Sequence, residues 1–365
     1  MMFIISTRNF PPDVGGMQNL IGGLAEALIN HGPVKVFADK TDKYEKYDNG
    51  SKATIERFGG FKLFRKYRKA NRISEFVKEN KNIRSIFFDH WKSAEKINLG
   101  ILENIPTFCL VHSKEINHDK NSGLNKRILA SLEKVKFIIA NSNFTKKLAI
   151  KIGLPEKKIH IIHPGHDQPL NIEEKFKKDS EKFFGDSFPK ILTVARLDRR
   201  KNHQNILMCI RNLKEKFPKI KYVSVGDGDE KKRLQALVKE LKLENEVIFL
   251  NNIDQKLKVS LIQKSDLFLM PSIIYKKSVE GFGISFIEAA SYGVGSIGGI
   301  DGGAEDAIKN NETGLLCDGQ DINAIYNSIL EFFKNENYKK FGSNALKFSE
   351  NFTWKKIIRQ YLNLI

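Results

Sequence analysis

The chain has 365 residues, of which 41% are hydrophobic, and this length predicts two domains with separate cores. The composition excludes a disordered protein, and no apolar run is long enough to span a bilayer. The formal net charge of +18 predicts an anionic partner, which would be a nucleic acid, an anionic membrane or a phosphorylated substrate. Three dispersed cysteines, Cys109, Cys209 and Cys317, suit a reducing cytoplasm and indicate neither disulfides nor a zinc site.

The first half of the chain alternates short apolar runs with amphipathic stretches. Residues 2–7 are interpreted as a buried strand and not as a signal peptide, because no basic segment and long apolar stretch are present there. A helical pattern follows over 15–32 and stops at a glycine. Further strands are predicted at 34–39, 83–90, 107–112 and 136–142. This alternation predicts a parallel sheet with helices on both faces.

The pattern breaks at 169–189, which is polar and charged, and we expect a linker there. It restarts with strands and helices that alternate from residue 190 to residue 299. The sequence therefore predicts an α/β fold of two Rossmann-like doubly wound domains facing a central cleft. We expect a ligand in that cleft, at the carboxyl ends of the strands. The predicted divisions are 1–168 for the N-terminal domain, 169–189 for the linker, 190–348 for the C-terminal domain and 349–365 for a C-terminal helix.

Two cations follow the predicted strand 190–195. Arg196 offers a planar fork of donors and Lys201 offers a point charge, and together they suit a diphosphate. The alternative is a solvated basic loop, because charged residues are mostly exposed.

Two glutamates bracket a glycine loop in the stretch EGFGISFIEAASYG. Gly281 and Gly283 allow the backbone to approach a ligand closely, and a helix that starts near Ile284 directs N–H groups toward it. Glu280 and Glu288 are able to accept hydrogen bonds from sugar and ribose hydroxyls. A surface helix with incidental acids is the alternative, but Glu288 would then be a half-buried carboxylate among apolar residues, which is costly.

The N-terminal half contains a second candidate ligand loop. Gly15 and Gly16 follow the first strand and open a helix. His112 ends the strand predicted at 107–112 and would face the same cleft. The alternative for His112 is a structural role, because ring nitrogens readily satisfy backbone groups.

No metal site is predicted. His160, His163 and His166 are spaced like metal ligands, but the intervening Pro-Gly pair breaks any common face. Asp227 and Asp229 flank a glycine between a strand and a helix, which is typical of a turn. We therefore expect activity without a metal or another cofactor.

Residues 61–72 give an amphipathic pattern when they are placed at about 100° per residue. Leu63, Phe64 and Tyr67 gather on one side, and cations gather on the other. The helix would either pack on the N-terminal domain with solvated cations or lie in a membrane interface. The charge density favours the membrane. The expected membrane contacts are Phe61, Lys62, Phe64, Arg65, Lys66, Arg68, Lys69 and Arg72.

Six segments resemble the retaining glycosyltransferases of the GT-B class, family 4: GGMQNLIGGLAEAL, IIHPGHD, VARLDRRKN, VGDGDEKKRL, EGFGISFIEAASYGVGSIGG and GGAEDAIKNNETGLLCD. The resemblance covers nearly the whole chain and is most specific over 191–318. It implies a nucleotide-sugar donor held mainly by the C-terminal domain and a variable acceptor on the N-terminal side. It also implies that the C-terminal helix crosses back to the N-terminal domain. The chain departs from the family where His163 and His166 replace the usual asparagine and apolar residue, and where FLNNID lacks the usual glycine.

The resemblance also implies roles for individual residues. Arg196 and Lys201 would hold the diphosphate, Glu280 the sugar and Glu288 the ribose, while His112 and the second glycine of the N-terminal loop would close over the donor. The implied catalytic residues are His112, Arg196, Lys201 and Glu280. The implied nucleotide-sugar contacts are Gly15, Gly16, Arg196, Lys201, Glu280, Gly281, Phe282, Gly283, Ile284 and Glu288.

The predicted function is transfer of a hexose-type sugar from a nucleotide sugar to a membrane lipid or lipid-linked glycan. A UDP-sugar is the favoured donor, and a GDP-sugar is the second candidate. The enzyme is expected in the cytoplasm, peripherally bound to the inner face of the cytoplasmic membrane. Two alternatives stay open: a sugar-nucleotide epimerase of the same architecture and a non-catalytic basic nucleic-acid-binding protein. The basic residues are scattered and lack an aromatic stacking platform, so nucleic acid is not the expected partner.

Overall fold

The computed structural model of the protein describes residues 1–167 and 169–365, without the side chain of Leu99. The chain forms two compact units. The first comprises Met1–Asp167 and Phe352–Ile365, and the second comprises Gln168–Asn351. Each unit is built on its own parallel sheet with alternating helices, which confirms the predicted class of two Rossmann-like doubly wound domains.

The first sheet consists of seven strands within the described residues. They are β1 (Met2–Thr7), β2 (Val34–Asp39), β3 (Thr54–Phe58), β4 (Ile83–Phe88), β5 (Thr107–Val111), β6 (Phe137–Ala140) and β7 (Ile159–Ile161). They are parallel and lie in the order β3-β2-β1-β4-β5-β6-β7. The accompanying helices are α1 (Gly16–Ile29), α2 (Tyr44–Gly50), α3 (Lys62–Glu79), α4 (Trp91–Ala94), α5 (Gly123–Leu132) and α6 (Asn143–Lys151).

The second sheet has six parallel strands in the part of the chain that the structure describes. They are β8 (Lys190–Val194), β9 (Lys221–Val225), β10 (Val247–Leu250), β11 (Leu267–Met270), β12 (Ser296–Gly299) and β13 (Gly314–Cys317), and their order is β10-β9-β8-β11-β12-β13. The accompanying helices are α7 (Glu174–Phe184), α8 (His203–Leu213), α9 (Lys231–Glu240), α10 (Gln255–Lys264), α11 (Ile284–Ala290), α12 (Ile322–Phe333) and α13 (Asn337–Ser349).

The segment 169–189 differs from the linker expected there. It contains α7, which packs against α10 inside the second unit. Phe184 is buried, and the hydroxyls of Ser180 and Ser260 lie 2.9 Å apart between the two helices. Seven of the eleven residues of α7 are charged, so its polar composition indicates a linker, although Phe176, Phe183 and Phe184 give it an apolar side.

The C-terminal helix α14 (Trp354–Leu362) packs on the first unit, where it contacts α1. A Cβ at Gly23 of α1 would lie 2.3 Å from Nε1 of Trp354, so the close approach of the indole requires a glycine. Tyr361 is buried, and its ring meets that of Phe108 edge-on at a centroid distance of 5.8 Å. The tail is therefore an integral part of the first core.

The strand order reverses between β1 and β4 in the first sheet and between β8 and β11 in the second. At such a switch point, the loops beyond the carboxyl ends of the two central strands diverge and leave a crevice that receives ligands in open α/β sheets. In the second unit, Arg196 and Lys201 follow β8, and the segment after β11 leads to Glu280. Three predicted donor-binding residues thus converge on the switch point of their own unit.

Candidate functional site

The loop after β8 is held in a fixed shape by its own polar residues. Asp198 accepts a hydrogen bond from the backbone N–H of Lys201 at 3.2 Å and so closes a short turn. Asn202 has a φ of +62°, a conformation that asparagine tolerates better than most residues. Its side-chain amide donates to the carbonyls of Pro271 at 3.0 Å and Gly319 at 2.6 Å. These contacts fasten the loop beside the end of β11.

The backbone of Glu280 is fixed just as firmly. Its carbonyl accepts a hydrogen bond from the N–H of Gly303 at 2.8 Å, and the residue forms a parallel bridge with Gly302. Gly302 has a φ of +106°, and a Cβ there would lie 2.4 Å from the carbonyl oxygen of Glu280. A glycine is therefore required at position 302 to hold Glu280 in place.

The structure brings Lys201 and Glu280 together, although 79 residues separate them. The Lys201 ammonium donates to Oε2 of Glu280, and an Arg200 guanidinium nitrogen donates to the same oxygen at 2.7 Å. All three side chains are buried. No described residue donates a hydrogen bond to the other carboxylate oxygen, Oε1. This oxygen is available to an incoming hydroxyl group.

Arg200, Lys201 and Glu280 are called the trio below, and their charges determine the electrostatics of the site. Burial by itself would raise the pKa of Glu280, but the charges of Lys201 and Arg200 outweigh it and lower the pKa to about 2. Burial lowers the pKa of Lys201, and the attraction of Glu280 opposes that change. Two cations and one carboxylate leave a net charge of +1, and such a buried excess of positive charge attracts an anion.

Arg196 stands apart from this trio. Its side chain is 69% exposed, and one guanidinium nitrogen lies 3.1 Å from Oδ2 of Asp198. In this conformation, Arg196 matches the solvated basic loop that was the alternative to diphosphate binding. Arg200, which the sequence reasoning missed, occupies the buried position instead; the sole signal for it was its place in the cationic run RRK.

Glu288 lies on α11 and is partly buried, as expected. Its Oε1 is 3.2 Å from the Lys258 ammonium of α10, a partner that the sequence reasoning did not identify. Ile284 begins α11. Gly283 precedes it with a φ of +89°, and a Cβ there would collide with the Phe286 ring at 2.4 Å, so the fold itself requires this glycine.

Gly281 and Phe282 complete the loop, and both are buried. The side chain of Phe282 is 2% exposed, so this residue would contact a ligand through its backbone and not through its ring.

The candidate residues of the first unit lie at the carboxyl edge of its sheet. A Cβ at Gly16, the first residue of α1, would meet no atom within 4 Å, so internal packing does not require this glycine. A Cβ at Gly15 would meet the flexible end of Gln18. Nε2 of His112 is 2.9 Å from the carbonyl oxygen of Asp89. Because a carbonyl only accepts, Nε2 is the donor in this contact.

Two histidines of the IIHPGHD segment contact the C-terminal tail. His166 is buried, and its N–H donates to the carbonyl of Phe352 at 2.9 Å, while the His163 ring meets the Phe352 ring edge-on. Within residues 1–167 and 169–365, no group of three or more His, Cys, Asp or Glu residues is placed to hold a metal ion.

The basic helix is only partly as expected. The membrane contact predicted at Lys69 is wrong, because this residue is buried and its ammonium donates to Asp39 at 2.7 Å and to the Thr7 carbonyl at 2.6 Å. Arg65 also pairs with Asp39, and Arg72 lies near the carboxylates of Glu56, Glu75 and Glu79. These carboxylates therefore neutralise much of the predicted cationic side. The pairings with Asp39 and Glu56 are long-range, and helical periodicity does not reveal them.

The apolar side of the same helix divides into two parts. Ala70 and Ile73 pack into the first core, whereas the residues around the helix start are exposed. The exposed fractions are 68% for Phe61, 61% for Leu63, 66% for Phe64 and 47% for Tyr67. The cations beside them are Lys62, Lys66 and Arg68. We call these seven residues the aromatic–basic patch. No helix formed by the described residues has both the length and the apolar character to cross a membrane.

Two families match the chain, one in each half. Residues 174–348 match the family described as Glycosyl transferases group 1, and residues 14–168 match Glycosyltransferase Family 4. Together the two matches include every residue of the trio, the Glu288 helix, the glycine pair and His112.

Curated relatives and solved structures extend over almost the whole chain. A GDP-mannose-dependent alpha-(1-6)-phosphatidylinositol monomannoside mannosyltransferase of Mycolicibacterium smegmatis is 23% identical over 89% of this chain and 87% of its own length. A Campylobacter jejuni alpha-1,4-N-acetyl-D-galactosaminyltransferase, whose named acceptor is a PP-undecaprenol glycan, is 25% identical over 100% of this chain and 97% of its own. The crystal structure of Anabaena HepE in complex with UDP covers 100% of this chain and 99% of HepE, with a TM-score of 0.83 at 17% identity.

Proposed function

Because the chain belongs to glycosyltransferase family 4, we propose that it is a retaining enzyme that transfers a hexose-type sugar from a nucleotide sugar to an acceptor hydroxyl. A UDP-sugar is the favoured donor and a GDP-sugar the second candidate. Both nucleotides occur among the similar proteins: the mycobacterial relative uses GDP-mannose, and the HepE structure contains UDP. The proposed acceptor is a membrane lipid or a lipid-linked glycan.

One observation carries the donor-binding proposal: the buried pair of Lys201 and Glu280 at the switch point of the second sheet. A nucleotide sugar requires a cation for its diphosphate and an acceptor group for its sugar hydroxyls. Lys201 supplies the first, since an ammonium has three donors and those of Lys201 reach only Glu280 and the weak acceptor Met270 Sδ among the described residues. Glu280 supplies the second through its open oxygen Oε1.

The same residues support a front-face route for the transfer. As the bond between the sugar and the diphosphate breaks, negative charge develops on the leaving diphosphate, which then helps to remove the proton of the acceptor hydroxyl. Lys201, joined by Arg196, would stabilise that charge; preorganised donors of this kind contribute roughly 2.7–4 kcal/mol each. A covalent route requires a carboxylate nucleophile. Asp89, the buried carboxylate at the edge of the first sheet, already accepts hydrogen bonds from Thr7, Arg8 and Ser93.

A lipid acceptor is supported by the relatives and by the aromatic–basic patch. Both relatives described above are named for acceptors that contain a lipid. In this chain, exposed aromatic rings stand beside Lys62, Lys66 and Arg68 at the start of α3, which is the composition of a helix end that enters an anionic membrane interface. Of these cations, Lys66 lies 3.5 Å from the carboxylate of Glu95. We therefore place the enzyme peripherally on the inner face of the cytoplasmic membrane.

A donor panel tests this function. The protein is incubated with UDP-, GDP- and ADP-sugars, binding is followed by thermal shift, and slow hydrolysis of the sugar is followed by release of nucleoside diphosphate. We expect one class of donor to stabilise the protein and to be hydrolysed. A sugar that isomerises without an acceptor would establish the epimerase alternative, and the absence of binding by every donor would contradict the proposal. Transfer to extracted membrane lipids, with the anomeric configuration determined by NMR, then tests the acceptor class and retention.

A further inference from the structure

The trio at the switch point contains one cation more than the proposed donor chemistry uses. Lys201 is assigned to the diphosphate and Glu280 to the sugar, yet both Lys201 and Arg200 donate to the same oxygen of Glu280. A carboxylate that pairs with one lysine alone cancels most of the charge of that lysine, which then attracts a phosphate weakly. When a second cation shares the carboxylate, the lysine attracts a phosphate more strongly.

Arg200 is held in a position that favours Glu280. Its side chain is as buried as that of Lys201, and its carbonyl accepts a hydrogen bond from the N–H of Ile273 at 2.9 Å. One guanidinium nitrogen reaches Glu280 at 2.7 Å, while Asp198 is 3.9 Å from the other. Its Nε is buried and has no hydrogen-bond partner among the described residues. An unpaired buried donor is unfavourable, so the contact with Glu280 must account for the placement of this side chain.

Arginine suits this position better than a second lysine does. Its guanidinium stays charged even when it is buried, whereas burial weakens the hold of a lysine on its proton. The charged groups that face the Glu280 carboxylate are Arg200 and Lys201, and Asp198 lies beyond them; the neighbouring His203 is buried. Arg200 is thus the counter-ion that stays with Glu280, and Lys201 is the cation that is able to turn toward the donor.

We propose that Arg200 is a positioning residue that keeps Glu280 ionised and oriented, so that Lys201 is able to direct its charge to the diphosphate of the donor. This proposal rests on the proposed function. Arg200 does not itself touch the reacting atoms. Its loss leaves Lys201 as the sole counter-ion of Glu280, which ties Lys201 to that carboxylate and weakens the site for diphosphate and sugar together.

The first test requires no substrate. The side-chain carboxyl carbons of glutamate are labelled with ¹³C, the Glu280 signal is assigned by its absence in Glu280→Gln, and its titration is followed in the wild type, Arg200→Met and Arg200→Lys. We expect the Glu280 midpoint to move upward by about one pH unit or more in Arg200→Met, since an opposite charge within hydrogen-bond distance lowers a carboxyl pKa by about that amount. Arg200→Lys should restore most of the shift. The matched control is Arg199→Met, because Arg199 is the exposed neighbour and contacts Glu230 and Tyr275.

An unchanged midpoint in Arg200→Met would overturn the role of Arg200, whatever the enzyme transfers. If Arg200→Met does not fold, Arg200→Gln, which preserves a polar side chain, is titrated in its place with the same expectation.

The second test uses the donor found in the panel. In the folded Arg200 variant, the acid limb of the pH profile of kcat/KM should move upward with the Glu280 midpoint, and the Kd of the bare nucleoside diphosphate should rise at least threefold. A loss of activity with an unshifted acid limb would indicate a purely structural role. Failure of every donor to bind the wild type would reject the proposed function and would leave the first test intact.

Discussion

Lys201 and Glu280 form a buried ion pair that joins the loop after β8 to the segment after β11. The pair is asymmetric, because Glu280 has a second cationic partner in Arg200, whereas Lys201 has no second carboxylate within hydrogen-bond distance among the described residues. The two residues should therefore respond differently to substitution.

Lys201→Met should remove most of the transfer activity and retain a stable fold. Arg200 still neutralises Glu280 in this variant, and methionine occupies the apolar space of the lysine stem. Loss of a preorganised cation at the diphosphate should lower kcat by about 10²–10³ and weaken binding of the nucleoside diphosphate. Turnover assays with calorimetric binding check this, and wild-type turnover would exclude Lys201 from the site. Arg199→Met is the control for the loss of a nearby positive charge.

Glu280→Gln should also remove activity, but with a larger loss of stability. It leaves two cations in a buried site without a carboxylate, and removing one partner from a buried ion pair costs about 3–5 kcal/mol. Binding of the nucleotide sugar should weaken more than binding of the bare nucleotide, because Glu280 is assigned to the sugar. Urea unfolding and the ratio of the two binding constants measure both effects. Equal losses for nucleotide and nucleotide sugar would contradict the assignment.

The stability of the wild type should fall steeply in acid because of Glu280. Its pKa is 4.5 as a reference and about 2 in the folded protein, so the unfolded chain binds the proton more tightly. The contribution of this carboxylate is fully present above pH 4.5 and is lost as the pH falls toward 2, by an amount on the order of 3 kcal/mol. The free energy of unfolding is measured against pH for the wild type and Glu280→Gln, and parallel curves would refute the prediction.

Gly16 and Gly23 both lie on α1, and alanine substitutions at the two positions should distinguish a role in activity from a role in packing. A Cβ at position 16 meets no atom within 4 Å, so Gly16→Ala should leave the melting temperature unchanged or slightly higher, since alanine favours a helix. If the donor approaches this turn, the added methyl should lower kcat/KM by up to about 100-fold. Gly23→Ala is the matched variant: its Cβ would collide with the Trp354 ring, and it should destabilise the protein. Full activity in Gly16→Ala would remove Gly16 from the donor site.

The aromatic–basic patch should bind vesicles that contain anionic lipid at low salt. Each cation near such a surface contributes about 1 kcal/mol, so replacing Lys62, Lys66 and Arg68 together by glutamine should lower partitioning by about two powers of ten. Phe61→Ser with Phe64→Ser should weaken binding at every salt concentration. The matched control is Lys78→Gln, which removes one charge at the opposite end of α3 and is compared with the single variant Lys62→Gln. Flotation with anionic and neutral vesicles measures the effect, and equal flotation of the patch and control variants would refute this role.

Transfer should continue in the presence of EDTA. In the proposed mechanism, Lys201 and Arg196 supply the positive charge for the leaving diphosphate, which is the task that a divalent cation performs in metal-dependent transfer. Initial rates are compared after dialysis against EDTA and after addition of Mg²⁺ or Mn²⁺. A rate that disappears with EDTA and returns with metal would contradict the prediction.

Local patterns in the sequence predicted both sheets, most of their strands and the family, and these predictions are confirmed. They succeeded because strands buried on both faces form apolar runs that are legible within six residues. The strands β3, β7 and β13 were missed. In β3, partly exposed residues replace the buried run, β7 has only three residues, and β13 is a four-residue strand that begins with glycine, so none of them carries that signal.

The tertiary structure alone decided which charges meet. Arg200 and Glu280 are 80 residues apart, and Lys69 and Asp39 are 30 residues apart, so no local period relates such partners. The sequence marked Lys201, Glu280 and Glu288 as candidates because their residue types suit a nucleotide sugar. Their burial, the second cation on Glu280 and the Lys258 partner of Glu288 depend on how the strands are ordered in the sheet. Helical periodicity likewise identified the amphipathic α3. Its neighbours cover only the later part of its apolar side, so Ala70 and Ile73 pack into the core and the apolar residues of its first turns stay exposed.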